Sequence, residues 1–144
     1  MSGKDEAGAA GNESGPILNA YSIAAVAIGG SIGSVARYLV GVYAGRLFGL
    51  NFPWGTLIIN IVGSFLLGVF VELLALKWDL SQTARLFLTV GICGGFTTFS
   101  TFSLDSAVLM QRGELWQAGA YVIASVVLSV AGLFTGLHLI RAVS

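Results

Sequence analysis

Four long apolar stretches constrain the fold of this chain more than any other feature of its sequence. They cover roughly residues 21–47, 56–76, 84–110 and 116–139, with short polar connectors between them. As a helix, each stretch is long enough to cross a hydrocarbon core about 30 Å thick. Only 10% of the 144 residues are charged and 56% are hydrophobic, far from the composition of a soluble domain. We therefore predict an all-α integral membrane protein with four transmembrane helices.

The first 19 residues differ in composition from the rest of the chain. They are rich in Gly, Ala, Ser and Asn and have no apolar face, so we predict a disordered extension over residues 1–19 and a four-helix transmembrane domain over residues 20–144. The net charge of +0 gives no electrostatic footprint for nucleic acid. Cys93 and His138 are the only residues of their kinds, which excludes thiolate and His-based metal clusters. The spans contain no nucleophile and base set, so we expect no enzyme.

Basic residues are divided almost evenly between the two ends of the predicted bundle. Four belong to the side of the termini and two to the opposite side, namely Lys4, Lys77, Arg85 and Arg141 against Arg46 and Arg112. The Lys and Arg bias of short loops sets the orientation of a membrane protein. A near balance therefore predicts a chain that inserts either way up, which would permit an antiparallel, dual-topology dimer.

The first predicted helix carries a charged residue at membrane depth. Arg37 lies among glycines spaced in multiples of four residues, Gly29, Gly33, Gly41 and Gly45. Small residues at this spacing favour close helix packing. A buried guanidinium normally faces a cavity, a carboxylate or backbone carbonyls. Two roles for Arg37 stay open, a structural clamp and a residue that attracts anions into a vestibule.

The second and fourth helices each present a polar stripe. Polar or small residues recur every four positions, at Thr56, Asn60, Ser64, Gly68 and Glu72 in one and at Tyr121, Ser125 and Ser129 in the other. Residues four apart share a helix face. The Asn60 amide needs a partner helix, water or a ligand at this depth, whereas Glu72 is expected to be solvated at the helix end. Both stripes therefore offer hydrogen-bond donors inside the membrane.

The third helix contains a glycine pair followed by hydroxyl residues and phenylalanines. Each glycine lowers helix stability by about 1 kcal/mol relative to alanine, so we predict a break between Gly94 and Thr98. At membrane depth, irregular backbone is tolerated only where it is buried in protein or lines a cavity. The freed carbonyls would be hard oxygen ligands suited to an alkali cation. After the break, Phe99 and Phe102 share one face, either as core packing or with their positive ring edges toward an anion.

These motifs resemble one known family. The run from Gly94 to Ser103, the segment PWGTL at 53–57 that leads to Asn60, and VGSF at 62–65 are similar to the Fluc fluoride channels, also called CrcB. The resemblance covers roughly residues 21–140. It implies an antiparallel homodimer in the lipid bilayer of the bacterial plasma (inner) membrane, with two pores that let fluoride leave the cell passively and so relieve its toxicity.

The resemblance also implies roles for particular residues. The fluoride pore would be formed by Arg37, Thr56, Asn60, Phe99, Phe102, Ser103, Tyr121, Ser125 and Ser129. The backbone carbonyls of Gly94 and Thr97 would bind a structural sodium ion (Na+) at the dimer axis. Asp105 stands where the family more often has glutamate, which leaves the role of this shorter carboxylate open.

Two other classes of small membrane protein compete with this interpretation. Small multidrug transporters are also short four-helix, dual-topology dimers, but they need a central carboxylate for the drug and the proton. The first helix has no Asp or Glu. A subunit that serves only assembly would need neither the polar stripes nor the helix break. We therefore predict a fluoride channel.

Overall fold

The computed structural model describes residues 18–144, and all regular elements in this range are helical. Helix α1 spans Ala20–Phe48, α2 spans Trp54–Leu76 and α6 spans Leu115–Ala142. Between α2 and α6, the third span consists of consecutive pieces, which are α3 (Gln82–Leu86), a π-helical segment (Phe87–Cys93), α4 (Gly94–Phe96) and α5 (Phe99–Gln111).

The predicted transmembrane spans are confirmed. With Gln82–Gln111 taken as one span, the described chain has 4 helices long and apolar enough to cross a membrane. Large apolar side chains are exposed along all of them, among them Ile28, Val71, Leu104 and Val127. An apolar lateral surface of this kind suits contact with lipid chains. The chain is a multi-pass membrane protein.

The start of α1 is fixed by a side-chain cap. The Asn19 side-chain oxygen accepts a hydrogen bond from the Ser22 backbone N–H at 2.8 Å, which satisfies one of the free donors of the first turn. The first helix thus begins at Ala20, with the last residue of the predicted N-terminal extension as its cap. Residues 1–17 of that extension lie outside the described part of the chain.

Glycines bring the backbone of α1 against the third span. A Cβ atom at Gly29 would lie 2.6 Å from the Phe87 carbonyl oxygen, and one at Gly33 would overlap the Ile92 carbonyl oxygen. The predicted glycine stripe is split in two, because a Cβ atom at Gly41 would meet nothing within 4 Å. Gly29 and Gly33 therefore pack against the third span. Gly41 lies close to Gly55 at the start of α2, since a Cβ atom at Gly55 would be 3.2 Å from the Gly41 Cα atom.

An ion pair joins the ends of α2 and α6. Arg141 Nε lies 2.5 Å from Glu72 Oε1, and Arg141 Nη2 donates to Glu72 Oε2 at 3.3 Å. The Glu72 side chain is only 7% exposed. The expectation that Glu72 is solvated was wrong, because Arg141, 69 positions away, provides a partner for the buried charge.

The third span is interrupted where the sequence predicts, but over fewer residues. Thr97 (φ −79°, ψ 157°) and Thr98 (φ −154°, ψ 113°) are extended, whereas Gly94–Phe96 stay helical. Gly95 packs closely against α1 in this helical conformation, since a Cβ atom there would lie 2.6 Å from the Gly30 carbonyl oxygen. The break therefore falls on the two threonines that follow.

Candidate functional site

A cavity of about 410 Å³ lies beside the helix break, between α2, the third span and α6. We call it the inner cavity. It brings together five of the predicted pore residues, which are Asn60, Phe99, Phe102, Ser125 and Ser129. The predicted cation ligands Gly94 and Thr97 also line it. Residues from four different parts of the sequence thus meet at one place inside the membrane-spanning domain.

Two serines of α6 that line the inner cavity have hydroxyls without a hydrogen-bond partner among the described residues. The Oγ atoms of Ser125 and Ser129 are buried and make no hydrogen bond of regular geometry within residues 18–144, although the Ser125 hydroxyl lies near that of Tyr121. Other hydroxyls on these helices are satisfied by a carbonyl one turn back, as at Ser103 (3.0 Å to Phe99) and Ser106 (2.8 Å to Phe102). Buried polar groups are normally paired. The two free hydroxyls therefore favour a ligand or water in this cavity.

Asn60 connects α2 to the broken backbone of the third span. Its Oδ1 accepts a hydrogen bond from the Thr98 N–H at 2.8 Å, and its Nδ2 donates to the Thr98 carbonyl at 3.0 Å. A primary amide has two N–H donors. One N–H of Asn60 donates to Thr98 and the other has no partner among the described residues. Asn60 can therefore fix the extended backbone at Thr98 and also donate to an ion in the inner cavity.

Aromatic rings form a row from the inner cavity into the core. The Phe99 and Phe102 ring centroids are 5.4 Å apart, and those of Phe102 and Tyr121 are also 5.4 Å apart. Phe52 meets Tyr121 edge to face at 5.6 Å. Phe99 is 77% exposed whereas Tyr121 is fully buried. The row therefore runs from an open side of the chain to its centre.

A second, larger space opens on the other side of the break. This vestibule, of about 860 Å³, is lined by residues of α1, the loop after it, α2 and α5. It contains two further predicted pore residues, Arg37 and Thr56, together with Asp105. Thr98 lines both the vestibule and the inner cavity. The break is thus the wall between the two spaces.

The charge of Arg37 is not matched by a carboxylate in the described part of the chain. Its Nη2 atom makes a long hydrogen bond to Ser34 Oγ at 3.5 Å, and no ion pair involves it among residues 18–144. Arg46 and Arg112 line the same vestibule. Arg37 is thus a positive group at the vestibule, and through Ser34, whose hydroxyl donates to the Gly95 carbonyl at 3.5 Å, it also contacts the third span.

Asp105 forms a hydrogen bond with a residue of α6. The Tyr121 hydroxyl donates a hydrogen bond to Asp105 Oδ2 at 3.1 Å. The shorter carboxylate thus still reaches α6 from the vestibule. Of the predicted pore residues, Tyr121 and Ser103 line neither of the two spaces, because Tyr121 is buried beneath them and Ser103 is exposed on the outside of α5.

The two predicted cation ligands are carbonyls that lose their helical partners. In a continuous helix the Gly94 carbonyl would accept from the Thr98 N–H, but that N–H donates to Asn60. The Thr97 carbonyl would accept from the Thr101 N–H, which donates instead to Thr98 Oγ1 at 3.2 Å. Both carbonyls are therefore available to a ligand.

Three hydroxyl residues that line the inner cavity were not among the predicted pore residues or cation ligands. Ser64 lines the inner cavity, and its place one turn after Asn60 in the polar stripe was a usable signal. Thr89 lines the same cavity from the π-helical segment, which the sequence did not indicate. Thr98 belongs to both spaces because of its extended backbone, and no property of its side chain could show this.

Comparison with known proteins identifies one family. The sequence profile of the family described as "CrcB-like protein, Camphor Resistance (CrcB)" matches residues 24–137. The chain is 65% identical over 119 residues to the protein named "Fluoride-specific ion channel FluC 1" from Nitrobacter hamburgensis, covering 83% of this chain and 94% of that protein.

Two more distant relatives carry the same name. The "Fluoride-specific ion channel FluC" of Agrobacterium fabrum is 58% identical over 120 residues, 83% of this chain and 96% of the relative. That of Rhodospirillum centenum is 55% identical over 119 residues, 83% of this chain and 94% of the relative. These proteins are named as ion channels and not as enzymes.

Proposed function

This chain belongs to the CrcB family, and from that premise we propose that it is a fluoride-selective channel, through which fluoride leaves the cell passively and its toxicity is relieved. The inner cavity and the vestibule would be consecutive parts of the ion path, with Thr98 between them. The bacterial inner membrane is the expected location. The function itself follows from the family and the names of its curated members.

The pair of free hydroxyls on α6 is the observation that supports this function most directly. Fluoride is small and strongly hydrated, so a pore must replace its water with hydrogen-bond donors. Ser125 and Ser129 offer two buried hydroxyls with no partner in the described chain, and Asn60 adds one N–H. None of the residues that line the inner cavity is charged, so the ion would not be trapped by a fixed cation.

Removing both free hydroxyls should slow fluoride release. We expect fluoride flux from proteoliposomes to fall by about tenfold or more in Ser125→Ala/Ser129→Ala, because each lost hydrogen bond to an anion weakens its stabilisation by about 1.5–3 kcal/mol. The rate is measured with a fluoride electrode. Ser106→Ala/Thr135→Ala is the matched control, since both hydroxyls are bonded to helix carbonyls. Equal rates in the two double variants would contradict the assignment.

Arg37 and the aromatic row complete the proposed path. Positive charge at the mouth of a narrow pathway raises the local concentration of anions, and Arg37 lines the vestibule without a carboxylate partner in residues 18–144. The edges of aromatic rings are electropositive. The rings of Phe99 and Phe102, which line the inner cavity, would therefore receive the ion after it has lost part of its water.

We further propose a structural sodium ion held by the carbonyls of Gly94 and Thr97. Among the described residues, no three His, Cys, Asp or Glu side chains gather as a metal site, so oxygen ligands would have to come from the backbone. The helix break supplies two carbonyls without their regular partners. Hard carbonyl oxygens suit an alkali cation, and when bound the ion would neutralise their partial negative charge.

The proposed assembly is an antiparallel homodimer with two pores. Its support is the distribution of basic residues in the sequence. Four belong to the side of the termini and two to the opposite side, while Arg37 lies at membrane depth. Such a balance removes the bias that fixes orientation.

Dual topology predicts labelling from both sides of the membrane. A single cysteine placed at Gly113, in the loop between α5 and α6, should react partly with an impermeant maleimide in intact cells and fully after permeabilisation. The background is Cys93→Ala, since Cys93 is buried. A cysteine at Asp79, in the loop at the opposite end, should give the same partial labelling. Labelling of only one of the two loops in intact cells would reject the antiparallel arrangement.

A further inference from the structure

The Asn60 side chain takes the place of main-chain hydrogen bonds in the third span. Thr98 is extended, so its N–H and C=O point to the same side, and Asn60 Oδ1 and Nδ2 bind them at 2.8 and 3.0 Å. We propose that Asn60 is the positioning residue of the sodium site, because its bond to the Thr98 N–H keeps the Gly94 carbonyl free. This inference rests on the sodium site of the proposed function.

The Thr98 N–H can bind only one of two acceptors at a time. The Thr98 N–H has two candidate acceptors, the Gly94 carbonyl one turn back and Asn60 Oδ1, which it binds. Thr98 is only 7% exposed, and a buried N–H without an acceptor is costly. If Asn60 is removed, we expect this N–H to donate to the Gly94 carbonyl instead. That carbonyl would then be part of a continuous helix and could no longer bind the ion.

A second contact holds the other carbonyl free in the same way. Thr98 Oγ1 accepts the Thr101 N–H at 3.2 Å, which starts α5 and leaves the Thr97 carbonyl without its regular partner. The cap depends on the extended conformation of Thr98 (φ −154°, ψ 113°), and Asn60 holds that conformation through both hydrogen bonds. One side chain of α2 thus controls both proposed ligands.

The inference also connects the ion path with the cation site. Asn60 lines the inner cavity with Ser125 and Ser129, and its second N–H is free for an anion. Because the first N–H and the oxygen hold the Thr98 peptide, the same amide belongs to the pore and to the support of the sodium ligands. A pore donor with no positioning role would affect fluoride flux alone.

The test compares the sodium dependence of unfolding in four proteins. Wild type, Asn60→Ala, Asn60→Gln and Ser125→Ala are purified in detergent, and their thermal midpoints are measured as NaCl replaces choline chloride at constant ionic strength. Ser125→Ala is the matched control, because it changes the same cavity without touching the break. Asn60→Gln keeps a carboxamide in the cavity, but its longer chain shifts both atoms out of register with Thr98.

We expect sodium to raise the midpoint of wild type and Ser125→Ala with the same half-saturating concentration. In Asn60→Ala and Asn60→Gln that concentration should be at least about tenfold higher, since a tenfold change corresponds to the loss of about one net hydrogen bond. If Asn60→Ala does not fold, Asn60→Gln alone decides the result. A sodium response shared equally by all four proteins overturns the inference. A wild type that responds to sodium no more than to choline overturns the sodium site as well.

Discussion

Fluoride flux should fall by about tenfold to a hundredfold in Phe102→Ile, because two aromatic contacts and one ring edge are lost. The Phe102 ring lies 5.4 Å from both Phe99 and Tyr121, measured between centroids, and it lines the inner cavity. Isoleucine keeps apolar bulk but has no electropositive edge. The change should therefore remove the contact that receives a partly dehydrated anion while the helix remains folded.

The control for this prediction is the same substitution on the lipid-facing side. Phe134 on α6 is 53% exposed, and its ring is paired with His138 at 6.3 Å. Phe134→Ile should leave fluoride flux within about twofold of wild type, because exposed substitutions away from a site have small effects. Flux is measured in proteoliposomes with a fluoride electrode at matched protein density. A Phe102→Ile channel as fast as Phe134→Ile would remove Phe102 from the ion path.

Gly33→Ala should destabilise the protein strongly. A Cβ atom at Gly33 would overlap the Ile92 carbonyl oxygen and lie 2.8 Å from the Phe96 N atom. Both obstacles are backbone atoms of the third span, so they cannot rotate away as a flexible side chain could. Overpacking lowers the free energy of unfolding by about 1–3 kcal/mol where the surroundings can adjust. Because the atoms around Gly33 belong to rigid backbone, we expect a loss at or above the upper end of this range. The expected result is a lower thermal midpoint, or aggregation during size-exclusion chromatography.

A neighbouring glycine provides the comparison. A Cβ atom at Gly30 would meet nothing within 4 Å, and alanine is favoured over glycine inside a helix by about 1 kcal/mol. Gly30→Ala should therefore fold like wild type or be slightly more stable. If Gly33→Ala and Gly30→Ala have equal midpoints, the close approach of α1 to the third span is not present in the protein.

The sequence was sufficient for features that depend on local composition. Apolar length determined the four spans, and glycines followed by threonines located the helix break. Its extent could not be predicted, because Gly94 and Gly95 remain helical and only the two threonines are extended. One contact that bears on this extent is the packing of Gly95 against Gly30 of α1, between residues more than 60 positions apart in sequence.

Contacts between distant residues account for the other differences. Asn60 was predicted as a pore donor, but its pairing with Thr98, 38 positions away, depends on how α2 meets the third span. Glu72 was expected to be solvated, yet it is buried and forms an ion pair with Arg141 at the end of α6. Of the stripes on α2 and α6, two residues each line the inner cavity, namely Asn60, Ser64, Ser125 and Ser129. Which polar atoms of these residues remain free could be learned only from three-dimensional structure.

The central claim is that this chain conducts fluoride selectively, and anion release from proteoliposomes tests it most directly. Vesicles that contain the purified wild-type protein are loaded with equal concentrations of fluoride and chloride, and both ions are followed with selective electrodes after a potassium ionophore balances the charge. We predict rapid fluoride release and no chloride release above that of protein-free vesicles. Equal release of both ions, or no release of either, would contradict the account.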